Sequence, residues 1–172
     1  DGATNGVMDS TLIRKNWAWT NDNVSAVFRG YFITDGAIPS FTNAYINTDM
    51  GAEAAYFLQA SATVSVYDNS LTPTYVCSNV PITKSGTIFT VDASVDALIA
   101  AGCASLPVGF TFDNGDSLVV QMNWTISSST PSGVVYDVLA TNNFYASNVP
   151  TPALIDRYSC GSRSGQMKVL GV

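Results

Sequence analysis

Two carboxylates three positions apart, Asp113 and Asp116, flank the dipeptide Asn114-Gly115, and a tight turn there brings them close enough to share a ligand or a proton. Like charges held together favour a calcium ion or a raised pKa on one partner, and a close carboxylate pair is also the equipment of a glycosidase. The plainer chemistry is that of turn residues whose side chains accept nearby backbone N–H bonds and point to water. Nothing else in the chain strengthens the catalytic option. With no histidine, the usual general base is missing, and with it the Ser-His-Asp and Cys-His arrangements. No glycine-rich phosphate or dinucleotide motif is present. The expectation is therefore a protein without catalytic residues or a cofactor, in which Asp113 and Asp116 stand only as calcium candidates.

The thiols are equally sparse. Cys77, Cys103 and Cys160 have neither the C-x-x-C spacing nor the histidine partners of a zinc site. They are either three buried thiols or, if the chain matures outside the cytoplasm, a Cys77–Cys103 disulfide with Cys160 free or intermolecular. Two N-glycosylation sequons occur, at Asn23 and Asn123, and they matter only in an extracellular setting. Trp17 and Trp19 share parity, which makes one face of their segment aromatic. That face suits core, a subunit interface or a platform for sugar rings.

The elements that must position these residues are strands. Leu118, Val120, Met122, Trp124 and Ile126 alternate with Ser117, Gln121, Asn123, Thr125 and Ser127, the period of a half-buried strand over 117–127. The run 108–112 leads into Asn114-Gly115, so these flanks are expected to form a hairpin. A second alternation over 54–67 puts Tyr56, Leu58, Ala60, Ala62, Val64 and Val66 on one side. Helical spacing competes with it over 51–60. Further strands are expected over 24–33, 43–46, 74–77, 87–91 and 134–140. One short helix is expected, with Ser94 as its cap, Asp96 in its first turn and Gly102 at its end.

Composition agrees. Of thirteen acidic residues only Glu53 is not Asp, and Asp favours turns and caps over helix interiors. Only 12% of residues are charged, against roughly 25% in ordinary domains, so the surface is mostly neutral and polar. Positions 35–140 carry nine acids against Lys84 alone, while 141–172 is mildly basic. That balance excludes nucleic acid as a partner of the body. No apolar run approaches the ~20 residues of a membrane span and no signal peptide is visible, so membrane insertion is not expected. The start at Asp1 rather than Met implies upstream trimming.

At 172 residues, the chain reads as an all-β, antiparallel β-sandwich or jelly roll with one short helix and extended terminal arms. Its expected parts are an N-terminal arm at 1–20, a sandwich core at 21–149 and a C-terminal arm at 150–172. The arms are the expected contacts with neighbouring subunits, with Leu12, Ile13, Trp17, Trp19, Val169 and Leu170 as interface candidates.

Two segments carry a family resemblance: VSAVFRGYFI at 24–33 and LPVGFTFDNGDSLVVQMNWTIS at 106–127. They resemble the early strand and the late N-G-D-S-L strand of β-sandwich structural proteins of tailed bacteriophage virions, of tail, neck and fibre type. The resemblance implies a non-enzymatic virion component, and no catalytic residue carries over with it. The expected function is thus a structural subunit of a large homomeric assembly, in contact with copies of itself and other subunits. The alternatives are a secreted subunit of a surface filament or pilus that assembles by strand exchange, and a glycan-binding sandwich that uses Trp17 and Trp19 on surface glycans.

Overall fold

The computed structural model describes residues 6–13, 17–34, 39–131, 135–148 and 158–170. In chain order the strands are β1 (Gly6–Ile13), β2 (Trp17–Trp19), β3 (Asn23–Phe32), β4 (Ser40–Phe41), β5 (Asn43–Asp49), β6 (Phe57–Tyr67), β7 (Tyr75–Ser85), β8 (Ile88–Asp92), β9 (Phe112–Asp113), β10 (Ser117–Ile126), β11 (Val135–Ser147) and β12 (Tyr158–Leu170). A 3-10 helix (Gly51–Tyr56) precedes β6, and the short helix α1 (Val95–Ala100) follows β8.

Ten strands form one continuous sheet in the order β1-β3-β10-β6-β7-β8-β5-β11-β12-β2, with β4 and β9 as a separate pair. The sheet folds over at β7. The first part of β7 pairs with β6 as far as Pro81, and from Ile82 to Ser85 it pairs with β8. Asn79 takes a left-handed φ of 57° and Pro81 has no ladder donor, so the strand turns the corner there. At the opposite side β1 and β12 come close together. The curled sheet is an antiparallel β-sandwich with one short helix, the expected fold class. Among the described residues, only the β2–β12 pairing is parallel.

The core lies between the layers. From β10 it takes Leu118, Val120, Met122, Trp124 and Ile126, all buried, as their alternation predicts. Two aromatic groups fill its ends. Phe57 and Phe89 meet Trp124 edge-on at 6.1 and 5.5 Å, while Phe32 stacks on Phe112 at 4.5 Å and meets Phe144 edge-on at 5.3 Å. Phe144 from β11 reaches across to Gly30 of β3, where a Cβ would stand 2.5 Å from its ring.

Three local expectations need correction. The flanks of Asn114-Gly115 do not pair with each other, because β9 pairs with β4 while β10 lies between β3 and β6. The reason is turn geometry. Gly115 takes φ 91° but Asn114 does not take a positive φ, and the two-residue hairpin turn that Asn-Gly favours needs both. The turn closes through Asp116 N–H to Asp113 O at 3.1 Å and is fixed to β3 by Gly115 N–H to Phe32 O at 3.0 Å.

Leu58 points outward, against its parity with Val64. A three-residue step of β6, from Gln59 to Ala62, faces the two-residue step of β10 from Trp124 to Met122, so a bulge shifts the phase and buries Phe57 instead. The competing helical reading holds for six residues only, as the 3-10 helix.

Ser94 occupies the N-cap of α1 without a side-chain cap bond. Its Oγ instead accepts the N–H of Ala44 at 3.3 Å, while Asp92 Oδ1 accepts the N–H of Ser94 at 3.0 Å. The helix start is therefore stitched to β5. Its far end is held by a disulfide between Cys77 of β7 and Cys103, with Cα atoms 4.9 Å apart. Cys160 falls at an irregularity of β12, between Ser159 opposite Tyr145 and Gly161 opposite Phe144.

Candidate interaction surface

The outer face of the β3-β10-β6 layer is where the polar half of the β10 alternation goes. Register sets it out in rows: Arg29 beside Val119 and Ser65, Val27 beside Gln121 and Thr63, Ser25 beside Asn123, and Asn23 beside Thr125 and Leu58. The face is laced by hydrogen bonds between side chains. Thr125 Oγ1 donates to Asn23 Oδ1 at 3.1 Å, and Gln121 Nε2 donates to Asn123 Oδ1 at 2.9 Å. Asn123 Nδ2 donates to the Ser61 carbonyl at 2.7 Å, which satisfies a backbone group that the β6 bulge takes out of the ladder.

The two sequons lie against each other, since Asn123, Trp124 and Thr125 stand opposite Ser25, Val24 and Asn23. Around that junction the surface dips into a depression of about 300 Å³, lined by Asn23, Val24, Ser25, Ala60, Asn123 and Trp124. Neither the pairing of the sequons nor the bulge was legible in sequence. The adjacent apolar residues Phe57 and Leu58 were the one sign that the phase of β6 changes.

The other end of the face is different in chemistry. Arg29 lies over the ring of Tyr67, its Cζ 4.5 Å from the centroid, and 5.9 Å from that of Tyr31. Residues 69–71 and the Asp113–Asp116 turn wall a smaller hollow there, about 190 Å³, with Leu71 almost fully exposed.

The carboxylates of that turn do not converge on a shared ligand position. Asp116 is 1% exposed, and its Oδ2 accepts the N–H of Asp113 at 2.7 Å. Asp113 is exposed and its Oδ1 accepts the Thr111 hydroxyl at 2.9 Å. Among the described residues no group of three or more His, Cys, Asp or Glu is placed to hold a metal ion. Burial pushes the Asp116 carboxyl above its ordinary pKa, helped by the charges of Asp68 and Asp113 and opposed by N–H bonds from Asp113 and Asn69.

The sign of the linked stability follows. The native state takes up this proton before the unfolded chain does, so the contribution of Asp116 is greatest below the unfolded value of roughly 3.9 and is lost as pH rises through the raised native pKa. In urea titrations from neutral to mildly acidic pH, wild type should therefore gain stability relative to Asp116→Asn as pH falls. The opposite trend would show that the ionised form is the favoured one.

The expected interface residues lie at or next to the sheet's edges. Leu12 and Ile13 stand opposite Val27 and Ala26 at one edge. Trp17 and Trp19 occupy the other, in β2, beside Lys168 and Leu170. Val169 and Leu170 also pair with Tyr136 and Val135 of β11. Both expected arms thus carry strands of the chain's own sheet, while 1–5, 14–16, 149–157 and 171–172 lie outside the described residues. Trp19 is 50% exposed. No described helix is long and apolar enough to cross a membrane.

These features define a class, a single curled β-sandwich with a polar outer face, and comparison with solved structures places the fold more narrowly. No protein-family model matches the chain, and no curated protein sequence does. The whole chain is similar in structure to the cohesin module of a Clostridium perfringens family 33 glycoside hydrolase, with TM-score 0.53 and 12% identity over 99% of this chain and 100% of the module. It is also similar to the full-length major pilin SpaD of Corynebacterium diphtheriae, with TM-score 0.54 and 9% identity over 95% of this chain but only 33% of the pilin. A third similar structure is AvmM, which catalyzes macrocyclization in alchivemycin A biosynthesis, with TM-score 0.52 and 10% identity over 98% of this chain and 89% of AvmM.

At these identities the likeness is one of fold. The β-sandwich part of the expected resemblance stands. The cohesin and pilin neighbours are bacterial modules rather than phage proteins, and nothing in the comparisons supports the virion part.

Proposed function

We propose that this chain is a non-enzymatic β-sandwich module of an extracellular, surface-exposed assembly, closer to the pilus-subunit alternative than to a virion protein. The observation that carries the reading is that the fold similarity spans 99% of this chain and 100% of the cohesin module, and 95% of this chain and 33% of the SpaD pilin. The Cys77–Cys103 disulfide supports it, because such bonds persist in oxidising compartments. A low-charge outer face rich in Ser, Thr, Asn and Gln supports it as well, since it offers hydrogen bonds to a partner. Fold alone does not assign function, and AvmM shows that an enzyme can share this architecture.

Negative-stain electron microscopy and surface fractionation of native material test the reading. Filaments or a cell-surface location are expected; phage particles or a purely cytoplasmic pool would sink it. Truncation adds a sharper test of how subunits join. Removing 167–172 strips four β12 pairs from β11 and all three partners of β2. The truncated monomer should therefore melt several degrees lower. If it keeps the wild-type Tm and loses only assembly, that strand is donated between subunits instead.

A further inference from the structure

The depression at the junction of the sequons has a built cause. The bulge in β6 takes its strand out of register with β10 between Met122 and Trp124, and Ala60 presents only a methyl group where a longer side chain would fill the gap. Asn123 fixes the shape of the hollow, because its amide is committed on both sides, donating to Ser61 O and accepting from Gln121. Asn23 is orientated in the same way, its Oδ1 accepting the Thr125 hydroxyl, which leaves its Nδ2 as the end not used in that bond. The lining is thus preorganised by its neighbours rather than by a ligand.

Its chemistry is selective. None of the six lining residues is ionisable, and the polar groups are amides and a hydroxyl, which bond to both donors and acceptors. The chain as a whole carries a net charge of -6, which disfavours polyanions. One exposed apolar side chain stands close by. Leu58, 52% exposed, is opposite Thr125, and the Trp19–Asp22 turn is bonded to Ile126 at the same end of β10. Two side-chain amides and one hydroxyl around a small floor, with an exposed apolar side chain beside them, match a ring that carries hydroxyls on its edge and C–H groups on its face.

We propose that this depression is a binding subsite for a neutral sugar unit of a glycan. The proposal deepens the reading above, since an extracellular module meets glycans, and it names the depression lined by Asn23, Ser25 and Asn123 as the place.

The test uses the full chain with neutral tetrasaccharides of β1,4-glucose, α1,4-glucose, β1,4-N-acetylglucosamine and β1,4-mannose, followed by amide chemical shifts. At least one should cause saturable shifts at Asn23, Ser25, Ala60 and Asn123. Ser25→Arg, which fills the hollow from the outer face, should weaken that binding by about tenfold or more while leaving Tm near wild type. Asn23→Ala, a gentler change, should weaken it too. The proposal is overturned if none of the four sugars shifts these amides, if the shifts survive both variants, or if the shifts arise from self-association seen without sugar. Because binding is read on the monomer, its failure is distinct from a failure of the surface-assembly reading, which rests on where native material is found.

Discussion

Gly30→Val is expected to cost about 3 kcal/mol or more and to lower Tm by about 10 °C. By strand propensity the substitution should help, because valine suits a strand interior and glycine weakens one. The steric term opposes it and wins. A Cβ at Gly30 would lie 2.5, 2.6 and 2.9 Å from three carbons of the Phe144 ring, where carbon atoms are comfortable at about 3.5–4.0 Å. Phe144 is itself buried and meets Phe32 edge-on, so the ring cannot swing aside without disturbing the stack of Phe32 on Phe112. Urea unfolding measures the loss. A double-mutant cycle with Phe144→Leu identifies its cause, since the smaller partner should return a large part of the lost stability. A Gly30→Val protein as stable as wild type would show that the layers are not packed through this contact.

The second large effect belongs to the disulfide. Cys77 and Cys103 are 26 positions apart, and closing a loop of that length removes about 3.5 kcal/mol of unfolded-chain entropy in the simple polymer model. The bond also ties the segment after α1 to β7, in a region where Val95, Leu98 and Leu106 complete the core. The double variant Cys77→Ser, Cys103→Ser should lose a comparable amount in urea titration and melt about 10 °C lower. Reducing agent should bring wild type down to the variant and leave the variant unchanged. Insensitivity of wild type to reductant, with both thiols then reactive in the denatured protein, would show that the bond does not form.

Much of this arrangement was readable before folding. The alternation of Leu118, Val120, Met122, Trp124 and Ile126 fixed both the strand and its dry face, because side chains on a pleated strand alternate whatever the strand pairs with. Ser94, Asp96 and Gly102 marked where the helix lies because such preferences are local, although the Ser94 hydroxyl bonds to Ala44 of β5 instead of capping the helix. The same logic failed at Leu58 and at Asn114-Gly115. A bulge shifts phase through one extra residue whose identity need not be special, and a turn dipeptide reports a local preference but not the partners of its flanking strands.

The candidate surface divides along the same line. Its polar character was carried by Gln121, Asn123 and Thr125, and the two sequons were visible as motifs. Their placement against each other came from the pairing of β10 with β3, a contact between segments about a hundred residues apart in sequence. So did the burial of Asp116 and the position of Arg29 over Tyr67. By itself, the sequence determined strand content, the faces of its most regular strand, the scarcity of charge and the lack of a histidine base, all of which are local or summed properties. Tertiary structure alone decided which strands are neighbours, where β6 bulges and β7 turns its corner, and which glycine must remain bare. Those depend on long-range register and on packing between layers, which no single segment encodes.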